Sequence, residues 1–266
     1  MKSVTFLGFL FLIFATSGNA QSDLITIDKI DQIIYYDYHF YETTGNPASV
    51  KLIPMQLQIG AYSSKFCSTQ YADKDSMLVA YEHLPPDQAF WIIWPQLMNM
   101  QSHRYARYTI FKQYPERGKM QFLAYHSGDY IVEEDIQFDW QIHPERDTTI
   151  IDLRCLMATT TYGGRDYVAW FAPDIPISDG PYKFSGLPGI IVRIADTENE
   201  HVFELQGARY DVNQPMYYST TPATRLSPKG YVKIFYEDIE ASMEKARENP
   251  HKLHRLKNQN NLIERY

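Results

Sequence analysis

The tightest constraint on the fold of this chain is a pair of alternating apolar runs that meet at Gly163-Gly164. Ile151, Leu153, Cys155 and Met157 alternate with Asp152 and Arg154 before the glycines, and Val168, Trp170 and Ala172 alternate after them. A period of two belongs to a strand with one covered face. Two successive glycines suit the positive φ angles of a primed hairpin turn. A two-residue loop then sets Met157 opposite Trp170 and Cys155 opposite Ala172, so both apolar sets share one face. The opposite face carries Leu156, Ala158, Tyr167 and Phe171, which is not plainly polar and predicts cover there too.

The same signal runs through most of the 266 residues, helped by 21 Tyr, 14 Phe and 4 Trp, aromatic side chains that favour strands. Strands are expected over residues 32–42, 50–60 and 62–68, with Gly45-Asn46-Pro47 as a break. More are expected over 107–111, 120–125, 130–132, 139–143, 190–194 and 201–205. The period changes over 72–84 and 87–100, where Ala89, Ile92, Ile93, Leu97 and Met100 fall near one helical stripe; Pro95 should end or kink that piece. Ser227 followed by Pro228 opens a last helix with Val232, Phe235, Ile239, Met243 and Ala246 on its apolar face. Asn249-Pro250 ends it, and the tail from His251 reads as polar and loosely held. The expected architecture is mainly β, a β-rich α+β domain. It is built on a large curved antiparallel sheet or half-open barrel, with an inserted helical segment and a C-terminal helix.

The N-terminus sets the expected compartment. Lys2, an apolar stretch over residues 4–15 and the small residues before Gln21 follow the order of a secretion signal with cleavage after Ala20. Residues 1–20 are thus read as a signal peptide and 21–266 as one domain. The apolar stretch is too short to span a bilayer, and no later run approaches the length required. The mature chain would hold 24 basic and 32 acidic residues, a poor match for nucleic acid or anionic lipid. An oxidising compartment permits a Cys67–Cys155 disulfide, worth about 4.5 kcal/mol in the chain-entropy view. Two buried free thiols are the alternative.

The residues most suggestive of a site are Gly186, Leu187, Pro188, Gly189 and Ile190. One reading is a rigid corner that plugs Leu187 and Ile190 into the core. The other is a rigid loop lining a pocket with Arg165, Trp170, Tyr182 and Phe184. A phosphate loop is disfavoured, because the Gly-Lys-Ser/Thr ending is missing. Arg165 beside the hairpin turn is either salt-bridged or a carboxylate or phosphate clamp. No catalytic residue is assigned: there is no Gly-x-Ser-x-Gly elbow and no His-Glu-x-x-His. His251 and His254 sit in a charged tail and Glu133-Glu134-Asp135 reads as solvated, so no metal site and no cofactor are assigned.

The segment Gly180-Pro181-Tyr182-Lys183-Phe184-Ser185-Gly186-Leu187-Pro188-Gly189-Ile190-Ile191 closely resembles the signature of the GLPGLI, or Porph_ging-type, proteins. Gly164-Arg165 with Ala169-Trp170-Phe171, Ile175-Pro176, Trp140, Ile142 and Cys155 resemble that family's preceding strands, over roughly residues 140–205. Ile190 stands where the family name has Leu, and residues 261–264 loosely echo its C-terminal ending. The resemblance implies a secreted or periplasmic envelope protein of the Bacteroidetes and implies no reaction. The expected architecture also looks similar to periplasmic lipoprotein-carrier half-barrels, an analogy that carries no function. The favoured expectation is a non-catalytic binding or carrier-like protein holding an apolar or amphipathic ligand on an aromatic concave face. The alternatives are a protein–protein accessory to an outer-membrane transporter, and a hydrolase whose histidine and carboxylate converge in a cleft.

Overall fold

A computed structural model describes residues 23–43, 45–99, 106–125, 128–249, 253 and 263–264. The signal-peptide reading, Met100, and His251 and His254 lie outside the described residues. Twelve strands form one sheet: β1 (Leu24–Tyr41), β2 (Val50–Gly60), β3 (Ser64–Ser68), β4 (Tyr108–Lys112), β5 (Lys119–Tyr125), β6 (Asp129–Asp135), β7 (Gln141–Ile150), β8 (Leu153–Tyr162), β9 (Arg165–Ala172), β10 (Ile190–Asp196), β11 (His201–Ser219) and β12 (Thr224–Leu226). Their spatial order is β12-β6-β5-β4-β3-β2-β1-β11-β10-β9-β8-β7. Two antiparallel meanders, β1 to β6 and β7 to β11, are therefore sewn together along β1 and β11. The short β12 is the exception to antiparallel pairing, lying parallel to β6.

The link from β6 to β7 fixes the curvature. Asp135 and Gln141 are six residues apart, so they stand at most about 22 Å apart even fully extended. Along the sheet, ten strand spacings separate β6 from β7, about 48 Å if flat. The sheet must curl until its ends nearly meet. Tyr162 on β8 donates a 3.0 Å hydrogen bond to Glu134 on β6 across that gap. The concave side holds the main core, including Tyr36, Leu57, Phe66, Ile110, Phe122, Phe171 and Phe203. Helices α1 (Thr69–Ala80) and α2 (Pro86–Asn99) form the insert between β3 and β4, and α3 (Pro228–Lys245) packs Tyr231 and Val232 into the core.

Several sequence expectations need correction. The 149–158 run is broken by a turn at Ile151 and Asp152, both at positive φ, so β7 and β8 form an unforeseen hairpin. The helix around Pro95 continues to Asn99. On its expected apolar stripe Ala89 and Ile93 are buried, but Ile92 is exposed. Strand β11 runs 14 residues past Leu205, because it spans both β10 and the length of β1. Of the two readings of Cys67 and Cys155, the second holds: both thiols are free and buried, on β3 and β8, with five strands between them in the sheet.

Candidate functional site

The hairpin register is the one the turn demands, with Met157 opposite Trp170 and Ala158 opposite Ala169. The better-buried face is nevertheless the second one: Ala158, Tyr167, Ala169 and Phe171 are nearly inaccessible, whereas Trp170 is half-buried. Residues 173–189 cover that second face. The segment leaves β9, folds into the concave side and returns to start β10, with one isolated bridge inside it, Asp179 to Ser185. Tyr182, Phe184 and Leu187 are 2%, 0% and 1% exposed, so they are core residues and not pocket walls. Phe184 packs 4.7 Å from Tyr167 between ring centroids, and Tyr182 packs 5.6 Å from Tyr108.

Backbone geometry makes this plug rigid. A Cβ on Gly189 would fall 2.2 Å from the Ala172 carbonyl oxygen, so only glycine lets the returning chain pass β9 that closely. Gly186 sits at φ +93°. Lys112, on β4, fastens the segment from beneath: its Nζ donates to Asp179 Oδ1 at 2.5 Å, to the Gly180 carbonyl at 2.6 Å and to the Phe184 carbonyl at 3.1 Å. Ser64 donates to the other Asp179 oxygen at 2.5 Å, and Trp140 Nε1 donates to the Ser185 carbonyl at 2.8 Å. Burial outweighs the attraction of Asp179 and pulls the Lys112 pKa below its ordinary value.

Ile263 and Glu264 of the tail reach the same place. Among the described residues beyond α3, Ile263 packs on the core and Glu264 is buried. Glu264 pairs with Lys183 at 2.6 Å and accepts a short hydrogen bond from the Tyr182 hydroxyl, while Tyr167 donates to the Ile263 carbonyl at 3.0 Å. The reading of the tail as loosely held therefore fails at Ile263 and Glu264. Lys183 also pairs with Glu134 and lies 5.0 Å from the centre of the Phe122 ring. Burial lowers the Lys183 pKa, but the two carboxylates more than reverse this and hold it above the ordinary value.

Arg165 is a salt-bridged core residue. Its guanidinium lies 2.5 Å from Asp196 and 3.4 Å from both Glu198 and Glu200. Asp196 also accepts the backbone N–H groups of Glu200 and His201. The three carboxylates lie close enough to hold a cation, and the guanidinium already fills that role. His201 is buried and shares a 2.7 Å hydrogen bond with Tyr38.

A half-open cavity of about 300 Å³ lies between α1 and the opposite face of the sheet. Ile30, Ala72, Val79, Ala80 and Pro215 give it apolar walls, and Gln58, Lys65, Asp75, Ser76, Gln214 and Tyr217 bring polar groups to it. Lys65 is almost wholly buried, 2.6 Å from Asp75 and 3.0 Å from the Tyr217 carbonyl oxygen. The cavity contains none of the five residues singled out from the sequence as ligand contacts. No sequence signal marked it, because the burial of Lys65 within a strand whose five residues are all buried is a property of the fold.

Residues 157–193 match the Porph_ging family model, described as a protein of unknown function, which bears out the resemblance seen in the sequence. No curated protein matches the chain. Among solved structures, PNGF-II superposes at a TM-score of 0.47 and 8% identity, covering 78% of this chain and 33% of that one. The chain thus spans about a third of PNGF-II. A LolA superfamily protein from Nitrosomonas europaea superposes at a TM-score of 0.28 and 10% identity, covering 70% of this chain and 88% of that one. Both TM-scores are too low to establish a common fold.

Proposed function

With residues 157–193 matching the Porph_ging family, we propose that this chain is an exported, non-catalytic binding protein of the bacterial envelope. In this reading its ligand enters the cavity beneath α1 and not the concave face. One observation carries this choice: the concave face is filled by the chain's own residues 173–189, while a space of about 300 Å³ stays open beside Lys65 and Asp75. That volume is at the lower end for small-molecule pockets, and its half-open walls mix apolar side chains with polar ones. The ligand class is a small molecule with an apolar body and a polar head. The order of residues 1–20 supports export, and N-terminal sequencing of the protein from cells should begin at Gln21.

The test is native mass spectrometry on protein purified without denaturation, beside a Val79→Phe variant that fills the cavity. A retained small-molecule mass in the natural chain, lost in the variant, is expected. Natural protein that carries no added mass, and whose melting temperature no small amphiphile raises, would sink the reading.

A second reading, an accessory module for an envelope partner, draws on α2. Trp91 is 72% exposed and Ile92 39%, an unusual display for residues of these types. A photo-crosslinking residue at position 91 should capture one dominant partner in intact cells. A uniform background would defeat this reading.

A further inference from the structure

We infer that the groove formed by Gly163, Tyr167, Tyr182 and Lys183 is a peptide-binding site, occupied in cis by the chain's own C-terminal segment and able to take a similar segment in trans. The ligand class is an extended peptide presenting an apolar side chain followed by a carboxylate. This site is separate from the cavity beneath α1, and either can fail without the other.

The groove recognises the segment as a peptide receptor would. Tyr167 donates to a main-chain carbonyl, that of Ile263. The Ile263 side chain packs on the core. Tyr182 and Lys183 converge on the Glu264 carboxylate. Gly163, at φ +55°, leaves the space the ligand needs: a Cβ there would come within 2.8 Å of Glu264 Cγ. Nearby, the Tyr108 hydroxyl is buried without a hydrogen-bond partner among the described residues. Its ring packs edge-on against that of Tyr182, 5.6 Å between centroids.

Charge shows that the segment can leave. Lys183 faces two carboxylates, Glu134 and Glu264. When Glu264 departs, Lys183 keeps Glu134, and the groove passes from one excess negative charge to neutrality. Release therefore avoids the unpaired buried charge that normally locks such contacts. Arg165 makes the contrast, because its nearest partner, Asp196, is itself held by the backbone of β11's start and cannot leave without unfolding the sheet.

The experiment titrates a fluorescent peptide, Asn-Leu-Ile-Glu-Arg-Tyr, the sequence of residues 261–266, into the full chain and into a variant ending at Asn260. Anisotropy should report at least tenfold tighter binding to the shortened variant. Replacing the peptide's Glu by Gln should weaken that binding at least tenfold, as should Tyr182→Phe in the shortened protein. Equal binding to both chains, or none to a shortened variant that still unfolds cooperatively, would overturn the inference. If the shortened variant does not fold, Glu264→Gln in the full chain decides. It should take up the Glu peptide where the natural chain does not, and a failure to do so is equally fatal.

Discussion

Lys112 shows how much of this fold hangs on single buried cations. It is 1% exposed, and its three acceptors all belong to residues 179–184, so one ammonium fixes the path of the plug. Lys65 and Lys183 are equally buried, each with a carboxylate partner. Removing one member of a buried pair leaves the other charge without compensation, which typically costs about 3–5 kcal/mol. Lys112→Met should therefore lower the urea midpoint by the equivalent of about 3–5 kcal/mol with an unchanged slope. Adding Asp179→Asn should recover part of the loss, because the stranded carboxylate is then neutral. Additive losses in the double variant would show that the two side chains do not act as a pair. None of these lysines was legible in the sequence. Lysine is seldom fully buried, and its partners are 10, 67 and 81 residues away for Lys65, Lys112 and Lys183.

At the scale of elements, the legible features were those set by local period and turn chemistry. The β8–β9 register followed from Gly163-Gly164, and β2 has the limits its alternation demanded. The helix from Pro228 is capped by Ser227 as expected, its Oγ accepting the Gly230 N–H at 3.1 Å. What could not be read was which face of β8 and β9 lies inward, since both faces carry apolar residues and the deciding cover comes from a segment without period. The corner reading of residues 186–190 puts Leu187 and Ile190 in the core, and these two are 1% and 0% exposed while Gly186 and Pro188 are exposed. Two glycines of that corner should respond differently to alanine. At Gly186 the nearest atoms to a new Cβ are those of Trp140, 3.8 Å away, so only the positive φ opposes the change, about 1–2 kcal/mol. At Gly189 the Cβ would overlap the β9 backbone, which cannot yield without moving the strand. Gly189→Ala should be the more destabilising by at least about 2 kcal/mol, within the range of severe single substitutions. Thermal unfolding of the two variants side by side checks the order, and equal losses would refute the close approach as the reason for glycine there.

For the molecule as a whole, curling twelve strands around one aromatic interior places many tyrosine hydroxyls out of water, and this dictates behaviour at high pH. Burial raises the pKa of Tyr36, Tyr38, Tyr182, Tyr108, Tyr125 and Tyr231 far above the ordinary phenol value. Burial also pushes the Cys67 thiol up to about 12. A group whose folded pKa is raised contributes stability that is whole below its unfolded pKa and is lost as pH climbs beyond it. Loss should begin gently above about pH 8.5 through Cys67 and steepen above about pH 10 as the tyrosines join. Each such group removes about 1.4 kcal/mol per pH unit, so six tyrosines remove about 8 kcal/mol per unit. Lys183, with its raised pKa, adds to the slope; Lys112, lowered by burial, opposes it, one group against many. A domain with a stability of about 5–15 kcal/mol would exhaust it within one or two pH units. The chain should therefore unfold cooperatively between about pH 10.5 and 12, with the last part of the 295 nm tyrosinate absorbance, that of the six buried tyrosines, rising only as the β-sheet circular dichroism is lost. If ionisation passes beyond the other fifteen of the 21 tyrosines to these six while the sheet signal persists, their hydroxyls are in contact with water and the packed interior described for this sheet is wrong.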